Sequence, residues 1–332
     1  MTSAGGSGRP GGGDGVRVLD GDASSDWVVE GDCAAVLPAL PDSAFQLVYI
    51  DPPFNTGKVQ RRRTLRTVRA EHGGDRVGFG GRAYATTELA RMGYRDRHDD
   101  YLGFLAPLLD HARRVLTADG TLYVHLDARE AHYCKVHLDA LFGRDCFLNE
   151  IIWAYDYGGR ARDRWPQKHD TILVYVKEAG THFFDRDAVD RIPYMAPGLV
   201  DPQKAARGKL PTDVWWHTIV PTNGREKTGY PTQKPEGILR RVVQASSVPG
   251  ARVLDFFAGS GTTGAVARQL GRRFVLVDDN PEAIAVMRRR LGTDGVRYLR
   301  QSGEDGGAGT AGGAARGAVS RAASNNATTS LP

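Results

Sequence analysis

The chain has 332 residues, of which 41% are hydrophobic and 25% charged; this composition is typical of globular proteins and excludes wholesale disorder. No apolar run approaches the roughly 20 residues of a membrane-spanning helix, and the Gly-rich N-terminus lacks the apolar core of a secretory signal. Three widely spaced cysteines without a C-x-x-C pair exclude a disulfide framework and a zinc site. With a net charge of +5, the chain is expected to be soluble and cytoplasmic and to tolerate a polyanionic partner.

Both ends of the chain are poor in large apolar residues. Residues 1–25 are rich in Gly, and residues 302–332 are rich in Gly and Ala. Such segments bury too little apolar surface to offset the entropy lost on ordering, so both are predicted to be flexible tails. The folded part is predicted to span residues 26–300.

Short β-rich runs alternate with amphipathic helical patterns along the folded part. The predicted strands are 26–30, 45–50, 121–125, 252–257 and 274–278, and the predicted helices are 101–116, 129–142, one from Thr262 and one from Pro281. This alternation predicts an α/β fold with a doubly wound, mostly parallel sheet. Residues 157–230 break the rhythm and are rich in Arg, Lys, Pro and Gly, so they are predicted to form an inserted region.

A predicted buried strand runs into a glycine-rich turn near residue 260. The segment reads Val253-Leu254-Asp255-Phe256-Phe257-Ala258-Gly259-Ser260-Gly261-Thr262-Thr263-Gly264, and its glycines match the G-x-G-x-x-G pattern of dinucleotide sites. Glycine lets the backbone pass close beneath a nucleoside, where a Cβ would clash. Asp278 ends the next predicted strand, where a carboxylate can accept hydrogen bonds from ribose hydroxyls. We therefore predict a nucleoside-containing cofactor.

The glycine turn alone leaves two cofactor classes open. A nicotinamide dinucleotide places its pyrophosphate at the helix N-terminus, and Asp255 just ahead of the turn disfavours that anion. A cationic ligand such as S-adenosyl-L-methionine, with its ammonium and sulfonium groups, suits the same carboxylate.

A second motif follows the predicted strand that ends at Ile50. It reads Asp51-Pro52-Pro53-Phe54-Asn55. Neither proline has an N–H, so the two cannot continue a strand ladder, and they hold the chain extended at the carboxyl end of the strand. Open α/β sheets place their ligands at that end. The motif thus offers a carboxylate and carbonyl oxygens as acceptors for an amino group, with an aromatic face for a planar base.

Methylation of an exocyclic base amine needs this set of groups. The amine lone pair is delocalised into the ring, and two acceptors that hold the amine hydrogens free it for attack on a sulfonium methyl. Positive charge then develops on the nitrogen, where a carboxylate stabilises it. The motif therefore predicts amino-methyl transfer.

With both motifs in view, the chain resembles the circularly permuted β class of DNA amino-methyltransferases, in which the Asp-Pro-Pro-aromatic motif precedes the glycine motif. The similarity covers roughly residues 27–292. Further matching blocks are Leu122-Tyr123-Val124-His125-Leu126-Asp127, Lys168-His169-Asp170 and Tyr230-Pro231-Thr232-Gln233-Lys234-Pro235. The resemblance implies a Rossmann-like methyltransferase fold that uses S-adenosyl-L-methionine and acts on double-stranded DNA, with residues 157–230 as its target-recognition region.

The resemblance also implies roles for individual residues. Asp51, Pro52, Pro53 and Phe54 would form the catalytic motif, with Asp51 and the Pro52 carbonyl on the target amine and Phe54 stacked on a flipped base. Asp32, Lys234, Asp255, Phe257, Gly259, Gly261 and Asp278 would bind the cofactor, with Asp278 on its ribose. No Pro-Cys dipeptide occurs, so a C5-cytosine mechanism has no obvious nucleophile. No residues show metal-ligand spacing, and no metal is expected.

The choice of target base stays open between adenine N6 and cytosine N4. An initial Asp in the motif leans towards adenine, yet Asp-initial N4-cytosine enzymes exist in the β class. We favour adenine. The same chemistry on structured RNA and a non-catalytic DNA-binding relative are the alternatives, and the resemblance leaves a homodimer and a cognate restriction endonuclease open.

A run of basic residues begins shortly after Phe54. We predict that it contacts DNA phosphates, because it lies beside the expected base pocket, although such runs are often only solvated loops. The candidate DNA-binding residues are Lys58, Arg61, Arg62, Arg63, Arg66 and Arg69. Basic and aromatic residues of the inserted region, among them Trp215 and Trp216, suit DNA contact or a small core equally well.

Overall fold

The structure is a computed structural model that describes residues 25–55, 58–69, 76–77, 83–96, 100–158, 160–221 and 223–301. For residues 58–69, 76–77 and 83–96 it describes the backbone alone. The predicted tail 1–25, apart from Ser25, and the predicted tail 302–332 lie outside the described residues.

The described part alternates strands and helices. The strands are β1 (Asp26–Glu30), β2 (Phe45–Ile50), β3 (Lys58–Arg69), β4 (Arg76–Val77), β5 (Ala83–Asp96), β6 (Leu116–Leu126), β7 (Phe147–Ala154), β8 (His169–Val176), β9 (Val214–Trp216), β10 (Arg252–Asp255), β11 (Arg273–Asp278) and β12 (Val296–Arg300). The helices are α1 (Cys33–Val36), α2 (Tyr101–Val115), α3 (Ala131–Phe142), α4 (Pro202–Arg207), α5 (Glu236–Ser246), α6 (Thr262–Gln269) and α7 (Pro281–Leu291). Every strand and helix predicted from the sequence is present, with ends that shift by a few residues.

Nine of the strands form one sheet in the order β12-β1-β11-β10-β2-β6-β8-β7-β9. All neighbouring pairs are parallel except the two that involve β8, which runs antiparallel to β6 and β7. The prediction of a doubly wound, mostly parallel α/β sheet is thereby confirmed.

Helices cover both faces of this sheet and enclose two apolar cores. One core packs α2 and α3 against the sheet through Leu105, Leu109 and Leu138. The other packs α5, α6 and α7 on the opposite face through Leu239, Val266 and Met287 and their neighbours. Strand β2 is buried along its whole length, as expected for a central parallel strand with helices on both sides.

Strands β2 and β10 lie side by side at the centre of the sheet, with Leu47 paired to Val253 and Val48 to Leu254. From β2 the chain goes on to β6 on one side, and from β10 it goes on to β11 on the other. The two connections diverge, so a crevice opens between the carboxyl ends of β2 and β10. Open α/β sheets bind their ligands at such a topological switch point.

The predicted inserted region, residues 157–230, differs from expectation. Its residues 169–176 form β8, a buried strand of the main sheet, and residues 214–216 form β9 at the sheet edge. The run Ile172-Leu173-Val174-Tyr175 is apolar because it is covered on both faces. The chain between these strands is mostly irregular and contains only the short helix α4 and one 3-10 turn.

Strands β3, β4 and β5 form a separate antiparallel sheet in the order β3-β5-β4. Lys58 pairs with Asp96 at one end of the β3–β5 ladder, and Arg69 pairs with Tyr84 at the other. The chain enters this sheet a few residues after Phe54.

Within the described ranges, no helix is long and apolar enough to cross a membrane. The same part of the chain brings no three His, Cys, Asp or Glu side chains into an arrangement that could hold a metal ion.

Candidate functional site

The Asp-Pro-Pro-Phe motif and the glycine turn open onto one cavity. Since β2 and β10 are adjacent and parallel, the residues that follow them leave the sheet at the same edge. The cavity at this point has a volume of about 430 Å³ and is lined by Asp51 and Pro53 on one side and by residues 255–260 on the other. Two segments about 200 residues apart in sequence therefore share one cleft.

The charge of the cavity wall is strongly negative. Five aspartates line it, together with a single basic residue, Lys234. The aspartates are Asp32, Asp51, Asp255, Asp278 and Asp279. No arginine appears among the described residues of the lining. A cavity with this excess of carboxylates favours a cationic ligand and repels an anionic one.

The Asp-Pro-Pro-Phe motif forms a rigid corner at the end of β2. Pro52 is buried, while Asp51, Pro53 and Phe54 are half-buried, and Asp51 and Pro53 line the cavity. The corner turns at Asn55, whose φ of +53° lies in the left-handed region that asparagine tolerates better than most residues. Asn55 Nδ2 donates a hydrogen bond of 2.8 Å to Glu130 Oε1 just before α3, which fixes the turn.

Asp51 uses only one of its two carboxylate oxygens. Lys234 Nζ donates to Asp51 Oδ2 at 2.5 Å in a largely buried ion pair. The other oxygen, Oδ1, is buried and has no hydrogen-bond partner among the described residues. A buried acceptor without a partner is costly, so Oδ1 is suited to receive a donor that belongs to a ligand.

The Phe54 ring lies between charged and buried polar groups. Lys234 Nζ is 4.7 Å from its centroid, a cation–π distance, and the His125 ring centroid is 5.9 Å away. Phe54 and Asp51 thus contact the same ammonium group. A carboxylate oxygen and an aromatic face converge on one small volume beside the cavity.

A buried hydrogen-bond chain supports this corner from behind. Tyr49 Oη and His125 Nδ1 are 2.8 Å apart, and His125 Nε2 and Asp170 Oδ2 are 3.2 Å apart. Tyr155 Oη donates to the other oxygen of Asp170 at 2.9 Å. Burial acts to raise the pKa of Asp170, but the hydrogen bond from His125 and the charge of Lys234 outweigh it and hold that pKa below its ordinary value. The ionised Asp170 only accepts, so His125 Nε2 donates to it.

The glycine turn depends on conformations and close contacts that other residues cannot provide. Gly259 and Gly261 have φ values of +50° and +70°. A Cβ on Gly261 would lie 2.7 Å from Met287 Cγ, and one on Gly264 would lie 2.7 Å from Leu276 Cδ1. The three glycines therefore let the turn curl tightly and let α6 pack closely on β11 and α7.

Asp255 is buried beneath the turn and bonds to it. Its Oδ1 accepts from the Phe257 N–H at 3.0 Å, and its Oδ2 accepts from Thr263 Oγ1 at 2.5 Å. Burial raises the pKa of Asp255 to about 7, which outweighs these two hydrogen bonds. The nearby charges of Asp51 and Asp278 add to the rise.

Asp278 at the end of β11 ties the glycine turn to the neighbouring strand. Its Oδ2 accepts from the Gly259 N–H at 2.7 Å, and its Oδ1 accepts from the Asn280 N–H at 2.9 Å. Burial raises the pKa of Asp278 to about 6 in spite of these bonds. Each carboxylate oxygen has two lone pairs, so both can accept a further hydrogen bond from a ligand in the cavity.

Asp32 and Phe257 line the same cavity. Asp32 follows β1 and caps α1, because its Oδ1 accepts from the Ala34 N–H at 2.9 Å. The Phe257 ring lies 6.1 Å from the Phe104 ring and forms an apolar wall. Burial raises the pKa of the neighbouring Cys33 thiol to about 12, so this cavity cysteine stays protonated.

Sequence reasoning missed several residues of the cavity wall. Tyr49 and Phe104 line it, although their positions in the sequence predict only core packing; Tyr230 lines it too, within the block of residues 230–235 that resembles known methyltransferases. Asp279 lies directly after Asp278, and this acidic pair at a strand end was the available signal. The six predicted DNA-binding residues from Lys58 to Arg69 lie on β3, and their side chains lie outside the described residues.

A family model described as DNA methylase, for N6 and N4 methyltransferases, matches residues 45–289, which include both motifs and most of the chain. The chain belongs to the N6/N4 DNA methylase family. It is similar to the DNA adenine methyltransferase YhdJ of Escherichia coli (strain K12), with 31% identity over 272 residues, or 80% of this chain and 82% of that protein. The family confirms that this chain is a DNA methyltransferase.

Two solved structures share the fold of this DNA methylase. The cytosine-N4-specific PvuII DNA methyltransferase superposes with a TM-score of 0.55 at 16% identity, over 80% of this chain and 86% of that chain. A complex of M1.HpyAVI with SAM superposes with a TM-score of 0.50 at 17% identity, over 80% and 98%. At these identities the likeness supports the Rossmann-like methyltransferase fold alone.

Proposed function

We propose that this DNA methylase transfers a methyl group from S-adenosyl-L-methionine to the exocyclic amine of a base in double-stranded DNA, with adenine N6 as the target. One observation carries the proposal: the Asp51–Phe54 corner and the glycine turn share a single cavity with five aspartates in its wall. The cavity offers a cofactor site and an amine-binding site in contact with each other.

The residues of the cavity fit S-adenosyl-L-methionine better than a nicotinamide dinucleotide. The cofactor supplies a methyl group on a positively charged sulfur, which becomes a neutral thioether when the methyl leaves. Carboxylates stabilise such a cation, whereas the two phosphates of a dinucleotide would meet five carboxylates with one lysine to offset them. The buried Asp255 and Asp278, whose pKa values are raised by burial, gain most from a cationic neighbour.

The proposed cofactor-binding residues are Asp32, Asp255, Phe257, Gly259 and Asp278 in the cavity wall, with Gly261 in the adjoining turn. Asp278 would accept from ribose hydroxyls with the lone pairs that Gly259 and Asn280 leave free. Lys234 also lines the cavity, but its ammonium bonds to Asp51, so we assign it to the catalytic corner as well as to the cofactor side.

The catalytic roles follow from the corner. Asp51 Oδ1 would accept one hydrogen of the target amine, and the Pro52 carbonyl would accept the other. The base would stack on Phe54. The nitrogen would attack the sulfonium methyl as the carbon–sulfur bond breaks, become positively charged and then release a proton to water, and the carboxylate of Asp51 would stabilise this charge as it develops. Pro53 keeps the corner rigid.

Two features support adenine N6 over cytosine N4. The motif begins with Asp51, and a relative of 31% identity is an adenine methyltransferase. Cytosine N4 is the second candidate, because the PvuII enzyme with the same fold is cytosine-N4-specific. The order of the two motifs along the chain, with Asp51 before Gly259, supports the circularly permuted β class.

Double-stranded DNA is proposed as the substrate, with the target base extruded from the duplex, because a paired amine cannot reach the cavity. Strand β3 would contact DNA phosphates through Lys58, Arg61, Arg62, Arg63, Arg66 and Arg69. Residues 157–230, outside β8 and β9, would recognise the target sequence.

A labelled-methyl assay tests the proposal. The protein is incubated with S-adenosyl-L-methionine carrying a tritiated methyl and with either duplex DNA or transcribed RNA. The nucleic acid is then digested, and the methylated nucleosides are identified by mass spectrometry. We expect N6-methyladenine from DNA alone. If N4-methylcytosine forms instead, the target base is cytosine and not adenine. If the label enters RNA, the substrate is RNA and not DNA. Cofactor binding without turnover on any nucleic acid would indicate a non-catalytic relative.

A further inference from the structure

Three aromatic side chains stand out on the surface because they are exposed to solvent. Tyr157, Trp165 and Trp216 expose 70%, 95% and 71% of their surface. Exposed apolar side chains that gather at one place on a surface mark a site of interaction with a partner. Their neighbours are well packed: Trp215 is buried, and Trp153 Nε1 donates to the His217 carbonyl at 2.7 Å. The Trp215–Trp216 pair is thus split between core and surface.

All three exposed aromatics lie at the carboxyl end of the parallel strands, which is the end of the sheet that carries the cavity. Strands β2, β6, β7, β9 and β10 run in one direction and end at this edge, and β8 begins there. Residues 155–168 join the end of β7 to the start of β8, and Trp216 ends β9 beside Ala154. We call residues 155–168 the edge loop. It leaves the sheet on the same side as Asp51.

The edge loop is fastened at its base. The Tyr155 N–H donates to the Lys168 carbonyl at 2.9 Å, and Lys168 Nζ donates to the carbonyls of Asp156 and Gly158 at 3.2 Å each. Tyr155 is further held by its bond to Asp170. These contacts hold the two ends of the loop together, so Trp165 projects from an anchored base.

The charge around Trp165 identifies the partner as a polyanion. Arg160, Arg162 and Arg164 precede it and Lys168 follows, against Asp156 and Asp163 within the same loop. Arg160 and Arg164 are exposed, and Arg162 is exposed as well. Guanidinium groups beside an unpacked indole suit a nucleic-acid backbone with a base-stacking contact. Duplex DNA is the polyanion that the proposed function brings to this edge.

We infer that Trp165 enters the DNA duplex and stacks in the gap left when the target base is extruded. This inference rests on the proposed function, since it needs a base that leaves the stack. Extrusion removes the stacking of one base on its neighbours, and a planar apolar side chain in the gap restores part of that stacking. The Arg residues of the edge loop would hold the flanking phosphates.

Substitution of Trp165 on paired and mispaired DNA tests the inference. The DNA carries the site that sequencing of methylated DNA identifies, with the target base either paired or opposite a mismatch. For Trp165→Ala we expect kcat/KM on paired DNA to fall about 10- to 100-fold, because stacking on one base contributes roughly this factor. Trp165→Phe should recover most of the activity. Val248→Ala, which trims an exposed apolar side chain just before β10, should leave kcat/KM unchanged within about twofold.

The mispaired DNA distinguishes insertion of Trp165 into the duplex from a general contribution of Trp165 to DNA affinity. A mispaired target is already partly unstacked and needs less help to leave the duplex, so the loss for Trp165→Ala should shrink to less than about threefold on mispaired DNA. The fluorescence of 2-aminopurine at the target position should rise on binding to wild type and much less on binding to Trp165→Ala. An equal loss on both duplexes, or no loss on either, would overturn the insertion. If wild type methylates no DNA, the proposed function itself fails, and the inference fails with it.

Discussion

The ammonium of Lys234 lies 2.5 Å from Asp51 Oδ2 and 4.7 Å from the centroid of the Phe54 ring, although 183 residues separate Lys234 from Asp51. This ion pair fixes the carboxylate through one oxygen and leaves the other, Oδ1, for a donor from a ligand. The ion pair also joins the segment before α5 to the corner after β2. The same residue contacts the start of α6, because the Lys234 carbonyl accepts a hydrogen bond from Thr262 Oγ1. Lys234 thereby links the catalytic corner to the glycine turn.

Lys234→Met should slow methyl transfer without releasing the cofactor. The carboxylate of Asp51 would lose the contact that orients it, and a small misplacement of a reacting group costs up to about 100-fold in rate. We expect kcat to fall about 10- to 100-fold while the dissociation constant of S-adenosyl-L-methionine rises by less than about tenfold, because Lys234 is one of several residues assigned to the cofactor. Single-turnover kinetics and calorimetry measure the two. Lys135→Met is the matched control, because it breaks the Lys135–Asp139 ion pair outside the cavity lining. Unchanged kcat with much weaker cofactor binding would make Lys234 a cofactor ligand only.

Asp255→Asn should stabilise the protein at alkaline pH. Burial raises the pKa of Asp255 from 3.8 to about 7, so the folded state binds a proton more tightly than the unfolded state. The stability that this proton contributes is complete below the unfolded pKa and is lost as the pH rises through about 7. The asparagine carries no charge, can accept from the Phe257 N–H and can donate to Thr263 Oγ1.

Urea denaturation at several pH values measures this effect. At pH 8 the variant should exceed wild type by on the order of 3 kcal/mol in free energy of unfolding. The difference should shrink as the pH falls towards 5. A variant that is less stable than wild type at pH 8 would contradict the account. The affinity of wild type for the cofactor should increase as the pH rises from 5 to 8, because ionised Asp255 and Asp278 favour a cation.

Gly261→Ala should destabilise the glycine turn more than its backbone strain alone predicts. Gly261 has a φ of +70°, and a Cβ there would lie 2.7 Å from the buried Met287 Cγ. Gly271→Ala is the matched control, because its φ is +72° and nothing lies within 4 Å of the added Cβ. We expect Gly261→Ala to lose about 1 to 3 kcal/mol more free energy of unfolding than the control. Equal losses would show that the steric contact does not matter.

Replacing Arg61, Arg62 and Arg63 by Ala should weaken DNA binding for every sequence alike. These residues lie on β3, and the proposal assigns them to phosphates, which carry no sequence information. The slope of log affinity against log salt should decrease by about 2 to 3. Fluorescence anisotropy with labelled duplexes at several salt concentrations measures this slope. A change in the methylated site with an unchanged slope would make β3 a reader of sequence.

The sequence predicted the parts of the site but not all of its geometry. The Asp51–Phe54 corner and the glycine turn are local patterns that follow apolar strands, so both could be located from residue order alone. Their convergence depends on β10 lying beside β2, a non-local pairing that the local pattern does not contain. The resemblance to known methyltransferases supplied this relation.

Other features depend on tertiary contacts that no local pattern records. The Lys234–Asp51 ion pair joins distant segments, and Tyr49 and Phe104 serve as core residues and cavity wall at once. The sequence analysis assigned the residues of strand β8 to the inserted region, because the segments on both sides of this buried strand are rich in Arg and Pro. The split between Trp215 and Trp216 follows from the two-residue period of β9, which is too short for a sequence pattern to reveal.

The central claim is that Asp51 acts on the target amine and that the same cavity binds S-adenosyl-L-methionine without depending on Asp51. Methyl transfer by the Asp51→Asn variant tests this claim most directly. The substitution keeps the size of the side chain and removes its charge. We predict that transfer of labelled methyl to DNA falls at least about 100-fold, while the dissociation constant of the cofactor stays within about threefold of wild type. Methyl transfer at the wild-type rate, or loss of cofactor binding together with activity, would contradict the account.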